Sequence, residues 1–515
     1  MSIRPKKQYD QLPITPIEID IGKKKSEDET LFHQLEIEQP NNDGNNLDSN
    51  LFESMVNTSG MTIFQVEALL FTGLIYLLEG FQVSLSGLIF LPIVSHYQLS
   101  QLYGCIISSS LVFFMGIGSL FTGYLTLLWQ RRFILILGLT IIFLGNMFAV
   151  IQNYYILLLS RSVIGFSLGV ILPITMNNLV EILPSKWRSF WMIADTFFFS
   201  IGAILSCSFL YMLYPSINYF FLALSIPSFL VCAVYVSFYK ENPRYLILNG
   251  EHEKGFETIE KYMNGGKPLN EGERVQIIKG VDFGMNKEVK LWGKFYFMFK
   301  RYFKITLILT SIWILYSIMI NGGVFSLFLG LSHSSSFIIE DEADAKFKDT
   351  FNIFVIFYAV FGVSVVLSGL ITEIRCIGRK FTIFIGFIIS TLVSFLIIVE
   401  GFGNGIFFGL GAFFVNLSFN AINSYSIEIY PTRVRDFATG YLQFISRISG
   451  FCSNLAALYI FNYYSNWMFY LNMFIGITGI VCTFMLPFDT YEKDLDSSIA
   501  EIRNIKERPV EEIII

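Results

Sequence analysis

From residue 63 onward the chain is built of long apolar runs, each closed by a short polar or basic break. A membrane-spanning helix needs ~20 mostly apolar residues, because the hydrocarbon core is about 30 Å thick and a helix rises about 1.5 Å per residue. That rule predicts spans at 66–91, 103–128, 133–151, 155–179, 189–212 and 217–239, then at 305–330, 352–373, 381–399, 404–427, 437–461 and 467–487. A polar stretch separates the sixth from the seventh, so the pattern is six plus six. The predicted class is an all-α membrane protein of twelve transmembrane helices, arranged as two pseudo-symmetric six-helix bundles. The predicted division is a disordered tail at 1–62, a first bundle at 63–239, a central loop with short helices at 240–303, a second bundle at 304–487 and a tail at 488–515.

Composition agrees with that pattern. Only 15% of residues are charged and 53% are hydrophobic, against roughly a quarter charged in an ordinary soluble protein. Between residues 63 and 239 there are nine Asp, Glu, Lys or Arg in 177 positions. This excludes a soluble enzyme, a nucleic-acid binder and a disordered chain. The six cysteines have no metal-ligand spacing, and five of them fall in apolar runs. No Gly-rich phosphate loop with its Lys-Ser/Thr is present, which argues against an ATP-driven pump. No catalytic constellation, metal site or cofactor is expected.

Lys and Arg concentrate in alternate connections. Those after spans 2, 4, 8 and 10 hold Arg131, Arg132, Lys186, Arg188, Arg375, Arg379, Lys380, Arg433 and Arg435, whereas the opposite connections are nearly devoid of both. Positive residues stay on the cytoplasmic face, so both termini and the central loop are expected there. The membrane itself, plasma membrane or internal vesicle, is left open. A small solute and lipid are the expected partners, nucleic acid is not, and a monomer is the expected functional unit.

The chain also repeats itself. EILPSKWR at 181–188 recurs as EIYPTRVR at 428–435, an offset of 428 − 181 = 247. Gly123 with Arg131 and Arg132 answers Gly369 with Arg379 and Lys380, at offsets of 246 and 248. Parallel six-helix repeats able to rock about a shared pocket are one way transporters are built.

The motifs resemble the major facilitator superfamily, in particular its sugar-porter, organic-ion and synaptic-vesicle-glycoprotein-2-related branch. GLIYLLEGFQVSLSG in span 1, GYLTLLWQRR after span 2, RSVIGFSLGVILPITMNNLVEILPSKWR in span 4 and its loop, ENPRYLILNG after span 6, and GLITEIRCIGRK and EIYPTRVR in the second half are the segments concerned. The resemblance implies that an acid after span 2 bridges the halves and stabilises an outward-open state. Here Leu127 replaces that acid, while Glu373 stands at the second-half position. Glu79 is followed three residues later by Gln82, where the branch tends to have a second acid.

The resemblance places spans 1, 4, 7 and 10 around the cavity, which makes Glu79, Gln82, Ser86, Ser167, Asn321, Asn416 and Asn420 the candidates for solute binding or coupling. Glu79, near mid-depth in span 1, is costly in hydrocarbon. It reads either as a ligand or proton-coupling group or as a structural carboxyl. Asn416 and Asn420 are four apart and share one helix face; amides there suit a polar solute or interhelical hydrogen bonds. Gating or structural charge is expected of Gly123, Arg131, Arg132, Arg161, Glu181, Arg188, Glu373, Arg379, Lys380, Glu428, Arg435 and Arg447. Asp195 is expected to pair with a loop arginine. The glycines of spans 2 and 4 read as sites of close helix contact.

The function expected is secondary transport of a small organic solute, sugar or organic ion, by alternating access, with proton symport open through Glu79. The competing reading is a transport-inactive receptor or trafficking component that keeps the fold.

Overall fold

The computed structural model describes residues 51–88, 93–94, 97, 100–151, 153–214, 216–248, 250–283, 298–300, 302–322, 340–400, 405–430, 432–463 and 467–490. The expectations for residues 1–50, 284–297 and 491–515, and for the side chain of Ser86, lie outside the described residues. Among the described residues twelve long helical segments overlap the twelve predicted spans, the eighth beginning at Glu340 rather than 352 and the end of the seventh, 323–330, lying outside the described residues. They are Ile63–Leu88, Gln101–Leu128, Arg131–Phe148, Tyr154–Ile182, Arg188–Asp195 continued by Phe197–Leu213, and Ile217–Phe238, then Phe303–Ser317 continued by a π-helical turn at Ile318–Gly322, Glu340–Thr372, Gly378–Glu400, Gly405–Ile429, Thr432–Tyr463 and Trp467–Phe484. They are called spans 1 to 12. Over the described residues, nine are long and apolar enough to cross a membrane.

Local chemistry sets several of the ends. Asn153 caps span 4, its side-chain oxygen accepting from the Tyr155 and Ile156 N–H groups at 2.9 and 3.4 Å, donors that the first helical turn cannot use itself. Pro173 inside span 4 leaves the Gly169 carbonyl without its usual helical donor. The Thr122 hydroxyl of span 2 donates to that carbonyl and to Val170 instead, at 3.4 and 3.2 Å. At Gly169 the backbones touch so closely that a Cβ would lie 2.0 Å from the Met115 carbonyl oxygen. This is the small-residue contact of membrane helices.

One apolar core is centred on Ile107, Leu111, Ile171 and Phe220 of the first half and continues across the seam to Phe354, Tyr358 and Leu458; another lies within the second half around Trp313, Ile383, Ile422 and Tyr425. The halves meet along two seams, span 2 against span 11 and span 5 against span 8. The repeat relates these seams. On span 2, Gly116 and Gly123 sit against Arg447 and Phe437 of span 11, a built Cβ lying 3.1 Å from the Arg447 Cβ and 3.4 Å from the Phe437 Cα. On span 8, Gly362 and Gly369 sit against Ser200 and Phe190 of span 5, at 3.1 Å from each. The offsets are 362 − 116 = 246 and 369 − 123 = 246 for the glycines, and 447 − 200 = 247 and 437 − 190 = 247 for their partners.

Not all of segment 51–62 follows the expectation of a disordered tail. Leu51–Ser59 is a helix that buries Phe52 and Val56. It is tied to the loop between spans 4 and 5 by Glu53 and Asn57. The described residues of the central segment include the short helices Pro243–Leu248, His252–Tyr262 and Glu271–Phe283.

Candidate functional site

Glu79 and Arg447 form an ion pair across the halves, Nη2 to Oε1 at 2.7 Å. The two lie at nearly the same level: 79 − 63 = 16 and 447 − 432 = 15 residues from the first residues of their helices, or about 24 and about 22.5 Å along the respective axes. The Glu79 side chain is 7% exposed and that of Arg447 22%. Tyr76 of span 1 and Tyr316 of span 7 are buried within electrostatic reach of both charges. Two groups of opposite charge, one from each half, therefore satisfy each other where the halves meet.

The other polar candidates separate by the helix they face. Arg161 donates to the Gln82 side-chain and main-chain oxygens at 2.8 Å each. Gln82 donates to Asn146 at 3.0 Å, and Asn146 to Ser228 at 3.1 Å. These bonds tie spans 4, 1, 3 and 6 together inside the first half. Ser167 is likewise turned away, its hydroxyl donating to the Gly138 carbonyl of span 3 at 2.7 Å. Asn416 reaches span 8 within its own half, through Ser364 and the Phe361 carbonyl. Asn321 lies in the π turn and donates back to Ser317. Asn420 does face the other half, accepting from the Thr196 hydroxyl at 3.4 Å.

Asp195 does not pair with a loop arginine. It ends the first piece of span 5, is 3% exposed, and neither carboxylate oxygen has a hydrogen-bond partner.

The ends of the spans that carry the Lys and Arg loops, the basic end, hold two related networks. In the first, Arg131 donates to Glu181 at 3.1 Å and to Asp436 of the second half at 3.2 Å. Asn177 donates to the same Asp436 at 2.7 Å. In the second, Arg379 donates to Glu428 at 3.1 Å and to Ser189 of the first half at 2.9 Å. Ser424 donates to Ser189 at 2.8 Å. Every member has its counterpart: 379 − 131 = 248, 428 − 181 = 247, 424 − 177 = 247 and 436 − 189 = 247. Glu373 adds a bond of its own, accepting the Phe190 N–H at 3.1 Å across the seam.

The neighbouring basic residues do a different job. Arg132 donates to the Val236 carbonyl near the end of span 6 at 3.2 Å, and Lys380 to the Phe484 carbonyl at the end of span 12 at 3.3 Å. These positions are again repeat-related, with 380 − 132 = 248 and 484 − 236 = 248. Cations there satisfy the last carbonyls and the negative helix end. Arg188 bonds the Leu183 carbonyl and Glu53 of the N-terminal helix, both at 3.3 Å. Arg435 bonds the Ile427 carbonyl at 3.0 Å.

Sequence motifs did not single out Asp436, Asn177, Ser189 or Ser424, nor Asn242, which donates to Glu181 at 2.8 Å, nor Tyr245, whose ring lies 4.9 Å from the Arg131 guanidinium. The 247-residue offset applied to every polar residue, rather than to motif residues alone, aligns the first four.

The two best-formed cavities among the described residues lie away from Glu79. One, of about 30 Å³, sits between spans 1, 4 and 6 beside Thr72, Asn178 and Lys240. The other is a crevice between Met176, Thr196 and Asn420 that is too narrow for water. Among the described residues no group of three or more His, Cys, Asp or Glu is placed to hold a metal ion.

Two six-helix bundles meeting on repeat-related seams define a membrane transporter of the major facilitator type. Residues 75–500 match the model of the sugar (and other) transporter family, and the chain belongs to that family. It is 24% identical over 506 residues to organic cation/carnitine transporter 7 of Arabidopsis thaliana, covering 86% of this chain and 95% of that one. It is 26% identical over 306 residues to the synaptic vesicle 2-related protein of Rattus norvegicus, covering 56% and 53% respectively. Among solved structures it is similar to the proton:xylose symporter XylE bound to 6-bromo-6-deoxy-D-glucose, with a TM-score of 0.69 at 14% identity over 86% of this chain and 99% of that one. The inward-open xylose transporter XylE from E. coli gives a TM-score of 0.63 at 15% identity, over 85% and 99%.

Proposed function

We propose that the chain is a secondary transporter that moves a small organic solute by alternating access, and that the Glu79–Arg447 pair is where solute and conformation meet. The observation that carries this is the ion pair itself, joining the halves at 2.7 Å midway along spans 1 and 11. Separating the halves exposes one charge of each sign to a solute that offers the complement. An organic ion, and above all a solute bearing both signs, competes for those charges; an uncharged sugar has to rely on amides such as Asn420. Similarity to a relative named for organic cations and carnitine supports that choice. Protonation of Glu79 also frees Arg447, which gives a route to proton symport.

The orientation that goes with this reading puts both termini, the central helices and the basic end in the cytoplasm, following the Lys and Arg distribution. The five-part division of the chain is kept, with Leu51–Ser59 docked on the first half. In that frame the two networks hold the cytoplasmic side closed.

The test is uptake into proteoliposomes across a panel of sugars, organic cations, zwitterions and organic anions. Accumulation or counterflow of a charged solute, lost in Arg447→Met, is expected. Glu79→Gln should abolish uphill accumulation while sparing exchange. Binding without flux for every solute would instead identify a transport-inactive receptor.

A further inference from the structure

We infer that Asp436 is the acid that locks the basic end of the span 2–span 11 seam, supplying from the second half the carboxylate that position 127 lacks. The inference rests on the alternating-access reading and deepens it. At the span 8–span 5 seam the lock includes Glu373, which accepts the Phe190 N–H at 3.1 Å. The repeat counterpart of Glu373 is residue 127, since 373 − 127 = 246, and it is a leucine. By that comparison alone the span 2–span 11 seam would have no acid.

Asp436 supplies one. Its two carboxylate oxygens take separate donors from the first half, Oδ2 from Arg131 at 3.2 Å and Oδ1 from Asn177 at 2.7 Å. Arg131 is fixed for this task by Glu181, Asn178 and the Tyr245 ring. The counterpart of Asp436 in the other seam is Ser189, which is neutral and donates its own proton to Glu428 at 2.9 Å. So each seam has one acid beyond the shared Glu181 and Glu428, but at different positions of the repeat. Both of these acids, Glu373 and Asp436, come from the second half. They meet Arg131, Asn177 and the Phe190 N–H of the first, and parting the halves breaks these bonds together.

The experiment uses the full chain in lipid nanodiscs, free of other cysteines, with spin labels at Trp129→Cys and native Cys376. Both positions are exposed and lie at the basic end of opposite halves. The parent should give mainly the short distance of the closed state. Asp436→Asn and Asp436→Ser should each raise the long-distance population at least tenfold, and adding Leu127→Asp to Asp436→Asn should return it toward the parent. Recovery by the second substitution shows that the single variants fold. A distance distribution unchanged in both Asp436 variants, or unmoved by Leu127→Asp, overturns the assignment. Glu428→Gln separates the two levels. If it opens the basic end while the Asp436 variants do not, only the role of Asp436 falls. If no variant yields a second population, alternating access falls with it.

Discussion

Neutralising Arg447 should cost more than neutralising Glu79, and neutralising both should cost less than the sum. Removing the arginine strands a carboxylate whose side chain is 7% exposed, and breaking a buried pair this way costs about 3–5 kcal/mol. Removing the glutamate strands a guanidinium that is 22% exposed and keeps some solvation, so the loss should be nearer that of one charged hydrogen bond, about 1.5–3 kcal/mol. The double variant Glu79→Gln/Arg447→Met leaves no stranded charge. The coupling between the two positions should therefore be at the upper end of the 0.5–3 kcal/mol seen for contacting residues. Because the partners belong to different halves, the same coupling is lost when the halves part, and about 3 kcal/mol biases that equilibrium roughly a hundredfold. Denaturant unfolding of the parent, the two single variants and the double variant in mixed micelles measures the cycle. Additivity within about 0.5 kcal/mol, or a larger loss for Glu79→Gln than for Arg447→Met, would refute the reasoning.

Three other outcomes follow from the packing. Gly169→Ala places a methyl 2.0 Å from the Met115 carbonyl oxygen, a backbone atom that cannot move aside. Folded yield by size-exclusion chromatography should collapse, and parent-like yield would show that spans 2 and 4 are farther apart. Asp195 is buried without hydrogen-bond partners, and an isolated buried carboxylate is a net cost. Asp195→Asn should unfold at the parent's temperature or above, and a clear drop would reveal a partner. In the central helices, the Leu269 N–H and then Arg274 hold the Glu260 carboxyl below the ordinary glutamate range. A depressed folded value means the contribution is present above the unfolded value of about 4.3 and is lost as pH falls through the folded one. Proteolysis of this segment should rise on acidification below about pH 4 and lose that dependence in Glu260→Gln; an unchanged profile would contradict it.

Much of the architecture was legible because hydrocarbon thickness imposes a length on every apolar run, and because the internal repeat keeps a nearly constant offset. The seams were legible only in part. Gly116 and Gly123 announce close contact, but nothing local names Arg447 and Phe437 as what they touch. The polar site shows the same limit. Asn416 and Asn420 share a helix face by spacing, yet one reaches span 8 in its own half and the other Thr196 in the opposite half. A face spans a wide angle, and which neighbour occupies each part of it depends on how helices far apart in sequence are arranged. Glu79 and Arg447 were each conspicuous as charges in apolar runs, but their pairing joins positions 368 residues apart. Gln82 and Arg161 likewise stand far apart in the sequence, and their mutual bond ties span 1 to span 4 within the first half.

Alternating access requires the two halves to move as opposing gates. Distances measured in the same protein across the basic end, Trp129→Cys to Cys376, and across the other end, Tyr103→Cys to Tyr459→Cys, test this directly as a transported solute is added. The expected result is two populations with opposite changes, one end lengthening as the other shortens. Distances that stay fixed, or that lengthen together at both ends, would contradict it.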